Sequence, residues 1–264
     1  MERRQLGSYE VIALADTVQS YPATAVYPAA EDALAAYAAY LDATGAVALN
    51  FASFLLIGSG LTVLVDTGWG PEFDGQLPAE MKAAGVDPAS VDVVTFTHLH
   101  GDHTGWNFDR GTGARFFANA RYLVPRLDWE HYAAQQPPSG SFERDMRPLE
   151  ASGRLELIDG GHVLAPGLTA VPTPGHTPGH TSFAIDSGGT RGFVLGDVVL
   201  TRIDAERPEL DCSFDWDHAI AHATREATIA RLAADQSLVG ASHLPAPGFG
   251  RFRVEAGRSS WQPA

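Results

Sequence analysis

Three histidines and an aspartate fall within six residues, at His98, His100, Asp102 and His103, in the stretch THLHGDHTGW (97–106). Imidazole nitrogen and carboxylate oxygen at this density form a ligand set for a first-row metal. Gly101 and Gly105 let the backbone turn tightly around an ion. The plain alternative is a polar turn with three surface histidines. Further groups of the same kind downstream speak against it. TPGHTPGHTS (173–182) carries His176 and His180, FVLGD carries Asp197, and His243 follows SLVGA. Counted together, His98, His100, Asp102, His103, His176, Asp197 and His243 exceed the needs of one tetrahedral ion. They suit two ions sharing a carboxylate, and Asp197 can offer one oxygen to each. Zinc is the first choice, with iron, manganese or cobalt as alternatives. Such a pair makes hydroxide available near neutral pH and polarises a carbonyl or phosphoryl oxygen. Asp102, a ligand with a free oxygen, is the candidate catalytic group that takes the nucleophile's proton and passes it to the leaving alkoxide.

Each ligand must be carried by something rigid, and the flanking residues predict strands. VDVVTF (91–96) precedes the first cluster, LTAVPT (168–173) precedes His176, GFVLGD (192–197) ends in Asp197, and SLVGA (237–241) precedes His243. Strand ends converging on one point are where α/β folds place chemistry. LNFASFLLIG (49–58) and LTVLVD (61–66) read as a hairpin turning at Ser59-Gly60. The second strand ends in Asp66, a candidate partner that orients an imidazole, or otherwise a turn cap. Further strands are expected at 9–16, 114–118, 121–125, 155–159 and 181–186. Helices are expected at 31–43, 76–84, 126–134, 141–150 and 217–234. The acidic run 204–217 reads as irregular, and the Gly/Pro-rich ending as surface chain. Strand-rich halves followed by helices suggest sheet packed on sheet with helices outside, over a single domain, 1–264.

Composition narrows the partners. The 264 residues carry a net charge of −14 and are 45% hydrophobic. That acidity opposes nucleic acid and anionic membrane surfaces, which attract basic stripes. No apolar run is long enough for a transmembrane helix, and no secretory leader is evident, so a cytoplasmic protein is expected. The single cysteine, Cys212, rules out an intrachain disulfide and lacks the context of a nucleophile. A small-molecule substrate is implied, and a homodimer stays open.

At this point the residues resemble a known family. HLHGDH, TPGHTPGH, the Asp of LGD and the late histidine are similar to the metallo-β-lactamase superfamily, with matches from Asp66 to His243. The resemblance implies an α/β fold, an αββα sandwich with the site along one edge of both sheets. It implies one metal on His98, His100 and His176, and another on Asp102, His103 and His243, bridged by Asp197. His180 looks like a supporting histidine behind the ligands, and Asp66 takes a similar place. The family's true β-lactamases lack the bridging Asp. Its glyoxalase II-like thioesterases add a glutathione-binding domain, which is not expected here because 21 residues follow His243. Its diiron members carry Glu where His100 stands. The resemblance is then to the lactonases, aryl esterases and organophosphate hydrolases.

The implied activity is dinuclear-metal hydrolysis, through a metal-bound hydroxide, of a lactone or ester that is uncharged and fairly hydrophobic. The alternatives are an organophosphate triester hydrolase, a glyoxalase II-like thioesterase and, last, a non-hydrolytic metal-binding protein. Several lactonases of the family place a carbonyl-polarising Tyr three residues after the bridging Asp; here that position is Leu200. Trp106, Leu200 and Phe214 are the expected walls of the substrate pocket. Phe51 and Phe54 read as core. His218 and His222 read as a solvated helix face, and His131 and His162 as structural.

Overall fold

The computed structural model describes residues 1–264, the side chain of Glu31 excepted. Strands β1 (Glu2–Leu6), β2 (Tyr9–Pro22), β3 (Ala46–Gly58) and β4 (Leu61–Val65) form an antiparallel meander. β5 (Val93–Thr95), β6 (Arg121–Pro125) and β7 (Leu155–Ile158) add in parallel, giving a sheet in sequential order. The β3–β4 turn is the expected one. Ser59 and Gly60 both take positive φ, 51° and 78°, as a two-residue hairpin requires. The second sheet contains β8 (Val163–Ala165), β9 (Leu168–Pro172), β10 (Thr181–Ser187), β11 (Thr190–Val194), β12 (Leu238–Gly240), β13 (Phe249–Glu255) and β14 (Arg258–Pro263). Only β11 and β12 pair in parallel there.

The strands are apolar on both faces because both faces are covered. Val11, Ala13, Phe54, Leu56 and Val93 of the first sheet meet Leu168, Ala170, Phe183 and Val194 of the second. The alternate residues Ile12, Leu14, Leu55 and Val94 face outward. They pack under α3 (Leu77–Ala83) and α5 (Arg126–Ala134) through Leu77, Met81, Trp129 and Tyr132. On the far side, Phe193, Val239 and Phe252 lie under Ile229 and Leu232 of α7 (His218–Ala234). The result is the αββα sandwich. Shorter helices are α1 (Ala23–Val26), α2 (Glu31–Leu34), α4 (Gly101–Thr104) and α6 (Arg202–Glu206), of which α1, α2 and α6 share one apolar cluster through Val26, Leu34 and Ile203. Among the described residues no helix is long and apolar enough to cross a membrane.

Several local expectations need correction. The alanine-rich 31–43 stretch gives only α2 and a 3-10 turn at Ala35–Tyr40, kinked at Tyr37. Alanine favours helix, but so short a segment is held by packing rather than propensity. Residues 114–118 form no strand, only a bridge between Phe108 and Arg115. The 141–150 region is a π turn (Phe142–Met146) followed by a 3-10 turn (Arg147–Ser152). The acidic run 204–217 is irregular from Arg207 onward, as expected, but its first residues close α6 (Arg202–Glu206), which is capped reciprocally by Thr201 and Asp204. The ending is no loose surface chain: β13 and β14 extend the second sheet and bury Phe249, Phe252 and Trp261.

Candidate metal centre

The strands β4, β5, β9, β11 and β12 end at one edge of the sandwich, and each is followed by a polar residue of interest. After β5 come His98 and His100, then the helical turn α4 with Asp102 and His103. The loop after β9 presents His176, the turn after β11 presents Asp197, and the chain after β12 presents His243. A hydrogen bond from Thr181 N–H to the Thr97 carbonyl, 2.7 Å, joins the loops of the two sheets.

The side chains gather into two groups, His98–His100–His176 and Asp102–His103–Asp197–His243. In the first, His98 Nε2 and His176 Nε2 each stand 3.0 Å from His100 Nδ1. Tetrahedral nitrogens at roughly 2.0–2.1 Å from zinc would stand about 3.3 Å apart, so the spacing suits one ion. In the second, Asp102 Oδ2 lies 3.3 Å from His103 Nε2 and 3.4 Å from His243 Nε2. Asp197 lies between the groups. Its Oδ2 is 3.3 Å from His176 Nε2 and 2.9 Å from His243 Nε2, and its Oδ1 is 3.3 Å from His103 Nε2.

Two buried atoms test whether cations fit. Asp197 Oδ1 and His103 Nε2 have no hydrogen-bond partner. Such orphans are costly unless something else satisfies them. The electrostatics agree. Burial pushes His98 well down and His100 down to about 3, leaving neutral imidazoles, the form that ligates. Burial also acts against the carboxylates, but His103 and His243 outweigh it and hold Asp102 at about 2. Asp197 is likewise held well below the usual range by His243, His103 and His98. His103 and His243 are raised despite burial, chiefly by Asp197. The second group thus attracts positive charge, which protons supply in the absence of metal.

The backing residues fix each ring. Asp66, held at φ 62°, accepts from Thr97 N–H (2.7 Å), and its other oxygen lies 2.9 Å from His103 Nδ1. Its role as an imidazole partner was readable from its place at a strand end. His180 Nε2 accepts from the Asp197 backbone N–H at 2.9 Å, so it orients the Asp197 turn. Gly196, at φ 62°, is required there: a Cβ would come within 2.6 Å of His180 Nε2. Sequence reasoning missed three supports. Asp215 Oδ1 lies 3.1 Å from His176 Nδ1, and the Asn50 carbonyl lies 2.8 Å from His243 Nδ1. Asp128 accepts from Leu99 N–H, Thr177 Oγ1 and Gly179 N–H, tying the two histidine loops together. No ligand-like spacing marks Asp128 or Asp215, each of which stands alone between apolar neighbours, as Leu-Asp-Trp and Phe-Asp-Trp.

Above the two groups opens a cavity of about 360 Å³, lined by Tyr21, Leu49, Phe51, Trp69, Leu200 and Phe214 together with His100 and Asp102. Leu200 and Phe214 stand where the sequence suggested. Trp106 does not: it packs on Phe116 and donates its indole N–H to Asp16 at 2.9 Å. Asp16 also accepts from Trp69 N–H and Leu77 N–H, so Trp106 braces the scaffold behind the cavity wall. Phe51, expected as core, lies edge-on to His243 with ring centroids 4.7 Å apart and contributes to the cavity. Phe54 is core as expected. His218 and His222 pair with Asp211 on the surface, away from the centre.

The geometry has counterparts among known proteins. The family described as the metallo-beta-lactamase superfamily matches residues 50–243. An N-acyl homoserine lactonase from Bacillus sp is 34% identical over 125 residues, 47% of this chain and 42% of that protein. The N-acyl homoserine lactonase AttM of Agrobacterium fabrum is 33% identical over 124 residues, 44% of each. The matched segments thus span less than half the length of these relatives. A solved structure described as hydrolase AbOPH in the beta lactamase superfamily superimposes with a TM-score of 0.88 at 26% identity, covering 99% of this chain and 96% of that one. AidC, described as a dizinc quorum-quenching lactonase, gives 0.88 at 22% identity, covering 100% and 97%; it supports the fold.

Proposed function

The chain belongs to the metallo-beta-lactamase superfamily, and from that premise we propose that it is a metal-dependent hydrolase that opens a lactone or cleaves an ester of an uncharged, fairly hydrophobic substrate. The observation that carries the reading is the place of Asp197, with one carboxylate oxygen toward His176 and His243 and the other toward His103. A single ion would not need that arrangement. Two ions, zinc by preference, would be held by His98, His100 and His176 and by Asp102, His103 and His243, with Asp197 shared. Bound there, divalent cations supply Lewis acidity to a carbonyl oxygen and acidify water.

The chain's own residues do the rest. Asp102 is part-exposed toward the cavity and held ionised by its histidine neighbours, so it is the group that can accept a proton and return it to the departing alkoxide. Asp215 and Thr97 hydrogen-bond the far ring nitrogens of His176 and His98, which turns Nε2 of each ring toward the place of the ion. Leu49, Phe51, Leu200 and Phe214 exclude water and suit an apolar substrate body. The acidic surface would repel anions. The lactonase names carried by the sequence relatives support the lactone reading. The cytoplasm is the compartment that suits a chain whose one cysteine is buried and unpaired.

The deciding experiment compares kcat/KM for a lactone, a nitrophenyl ester, a phosphotriester, a glutathione thioester and a β-lactam on protein of measured metal content. The lactone or aryl ester should lead. Best activity on the thioester or the β-lactam would overturn the proposal.

A further inference from the structure

The cavity wall is apolar except at one point. Outside the histidines and aspartates, Leu49, Phe51, Leu200 and Phe214 offer no hydrogen-bonding side chain, and the indole nitrogen of Trp69 is buried away from the void. Tyr21 carries the one hydroxyl. Its position follows from the strand that bears it. β2 stays paired with β3 as far as Pro22 opposite Ala46, so the two strands extend as an arm. A register shift between Ala15 and Thr17 re-aims that arm, as bulges beside functional sites do. Beyond it, half-buried Thr17, Gln19 and Tyr21 alternate with exposed Val18, Ser20 and Pro22.

The Tyr21 ring is fixed edge-on against Phe214, with centroids 6.1 Å apart. Burial, and then the charge of Asp102, push its phenol above the usual range. It therefore remains a neutral O–H, able to donate to an acceptor. Among the described residues its hydroxyl meets no protein acceptor.

We propose that Tyr21 is the specificity-determining residue of this cavity, its hydroxyl donating a hydrogen bond to an acceptor oxygen that the substrate carries beside its scissile carbonyl. The inference rests on the lactone and ester reading. The scissile group must meet the histidines and aspartates at the strand ends, whereas Tyr21 comes from the separate β2 arm, so the oxygen it meets belongs to a neighbouring group. A substrate with only hydrocarbon there would cover the hydroxyl and leave it unpaired.

Two lactones separate the cases: N-hexanoyl homoserine lactone, which has an amide beside the ring carbonyl, and γ-decalactone, which has an alkyl chain and no amide. Metal-loaded wild type and Tyr21→Phe are assayed on both, after their metal content and thermal midpoints have been matched. The preference for the amide-bearing lactone in kcat/KM should fall about three- to tenfold in Tyr21→Phe. Equal losses on both substrates, the mark of a merely structural role, or no loss on either, would overturn the proposal. The ring-opened products, N-hexanoyl homoserine and 4-hydroxydecanoate, give a second readout by calorimetry, and their Kd ratio should shift by a similar factor. If wild type opens neither lactone, the lactone reading fails. The product comparison then decides on Tyr21 alone: a collapsed ratio upholds it and an unchanged ratio refutes it.

Discussion

Asp215 grips His176 from behind, with Oδ1 3.1 Å from the ring Nδ1, while its other oxygen accepts from Arg225 at 2.8 Å. The same guanidinium is almost fully buried and donates through Nε to the carbonyl of Val198, the residue after Asp197. One cation thereby ties the support of His176 to the turn that carries Asp197. Accepting from Nδ1–H leaves the His176 Nε2 lone pair free, which is the tautomer a ligand needs.

Asp215→Ala should therefore weaken metal binding about ten- to a hundredfold, the usual scale for a residue that orients a metal-bound imidazole. Competition with a chromogenic chelator on folded protein measures it. Unchanged affinity would show that Asp215 serves only Arg225.

Asp197 and His180 should separate cleanly. Protein purified without chelator should hold about two equivalents of metal. Asp197→Asn should lower occupancy and cut turnover about a hundredfold or more, on the scale of a lost major electrostatic contribution. His180→Ala removes the acceptor of the Asp197 N–H and the ring that Thr173 holds, but no ligand, and should cost on the order of ten- to a hundredfold in affinity. Elemental analysis of the variants decides the matter. Metal loss in His180→Ala as deep as in His176→Ala would make His180 a ligand after all.

The last hairpin is part of the core. Trp261 packs against Phe252 with ring centroids 5.1 Å apart, under the same cluster as α7. Trp261→Ala should destabilise the protein by about 3–5 kcal/mol. Urea unfolding followed by circular dichroism would register that loss, and a change under about 1 kcal/mol would contradict the packing.

Alkaline pH should expose Cys212. Burial, with Asp215 next, pushes its thiol far above the usual value. A folded pKa above the unfolded one gives stability that is complete below the unfolded pKa, about 8.5, and lost as pH rises beyond it. Tyr27, buried in the same cluster and also raised, adds a loss of the same sign from about pH 10. Unfolding free energy should thus decline above about pH 9, less steeply in Cys212→Ala. Native Cys212 should also resist thiol reagents at pH 8, and rapid labelling of folded protein would refute its burial.

Much of the site was legible because ligand chemistry is local. HLHGDH and PGH are dense enough to announce themselves, and the apolar run before each predicts the strand that carries it. The supports were harder to see because they are made by folding: Asp215 and Asp128 become partners of distant loops only when the sheets stack. Trp106 illustrates the opposite error. Adjacency in sequence to His103 suggested a cavity wall, yet the turn after α4 directs its indole toward Asp16. The closing hairpin was obscured by the Gly and Pro residues at 245–250, which mark the turn into β13 and not the end of order.

The first sheet delivers Asp66, His98, His100, Asp102 and His103, and the second delivers His176, Asp197 and His243. Neither half alone assembles either group. High-affinity metal capture must then come late in folding, after chain segments as distant as His98 and His243 have met and the loop-closure entropy has been paid. Binding only the finished state, the ions would act as a clasp across the sandwich. Free metal at about a thousand times its Kd would add roughly 4 kcal/mol against unfolding. Metal supply in the cell would in this way set how long the protein lasts as well as how fast it works.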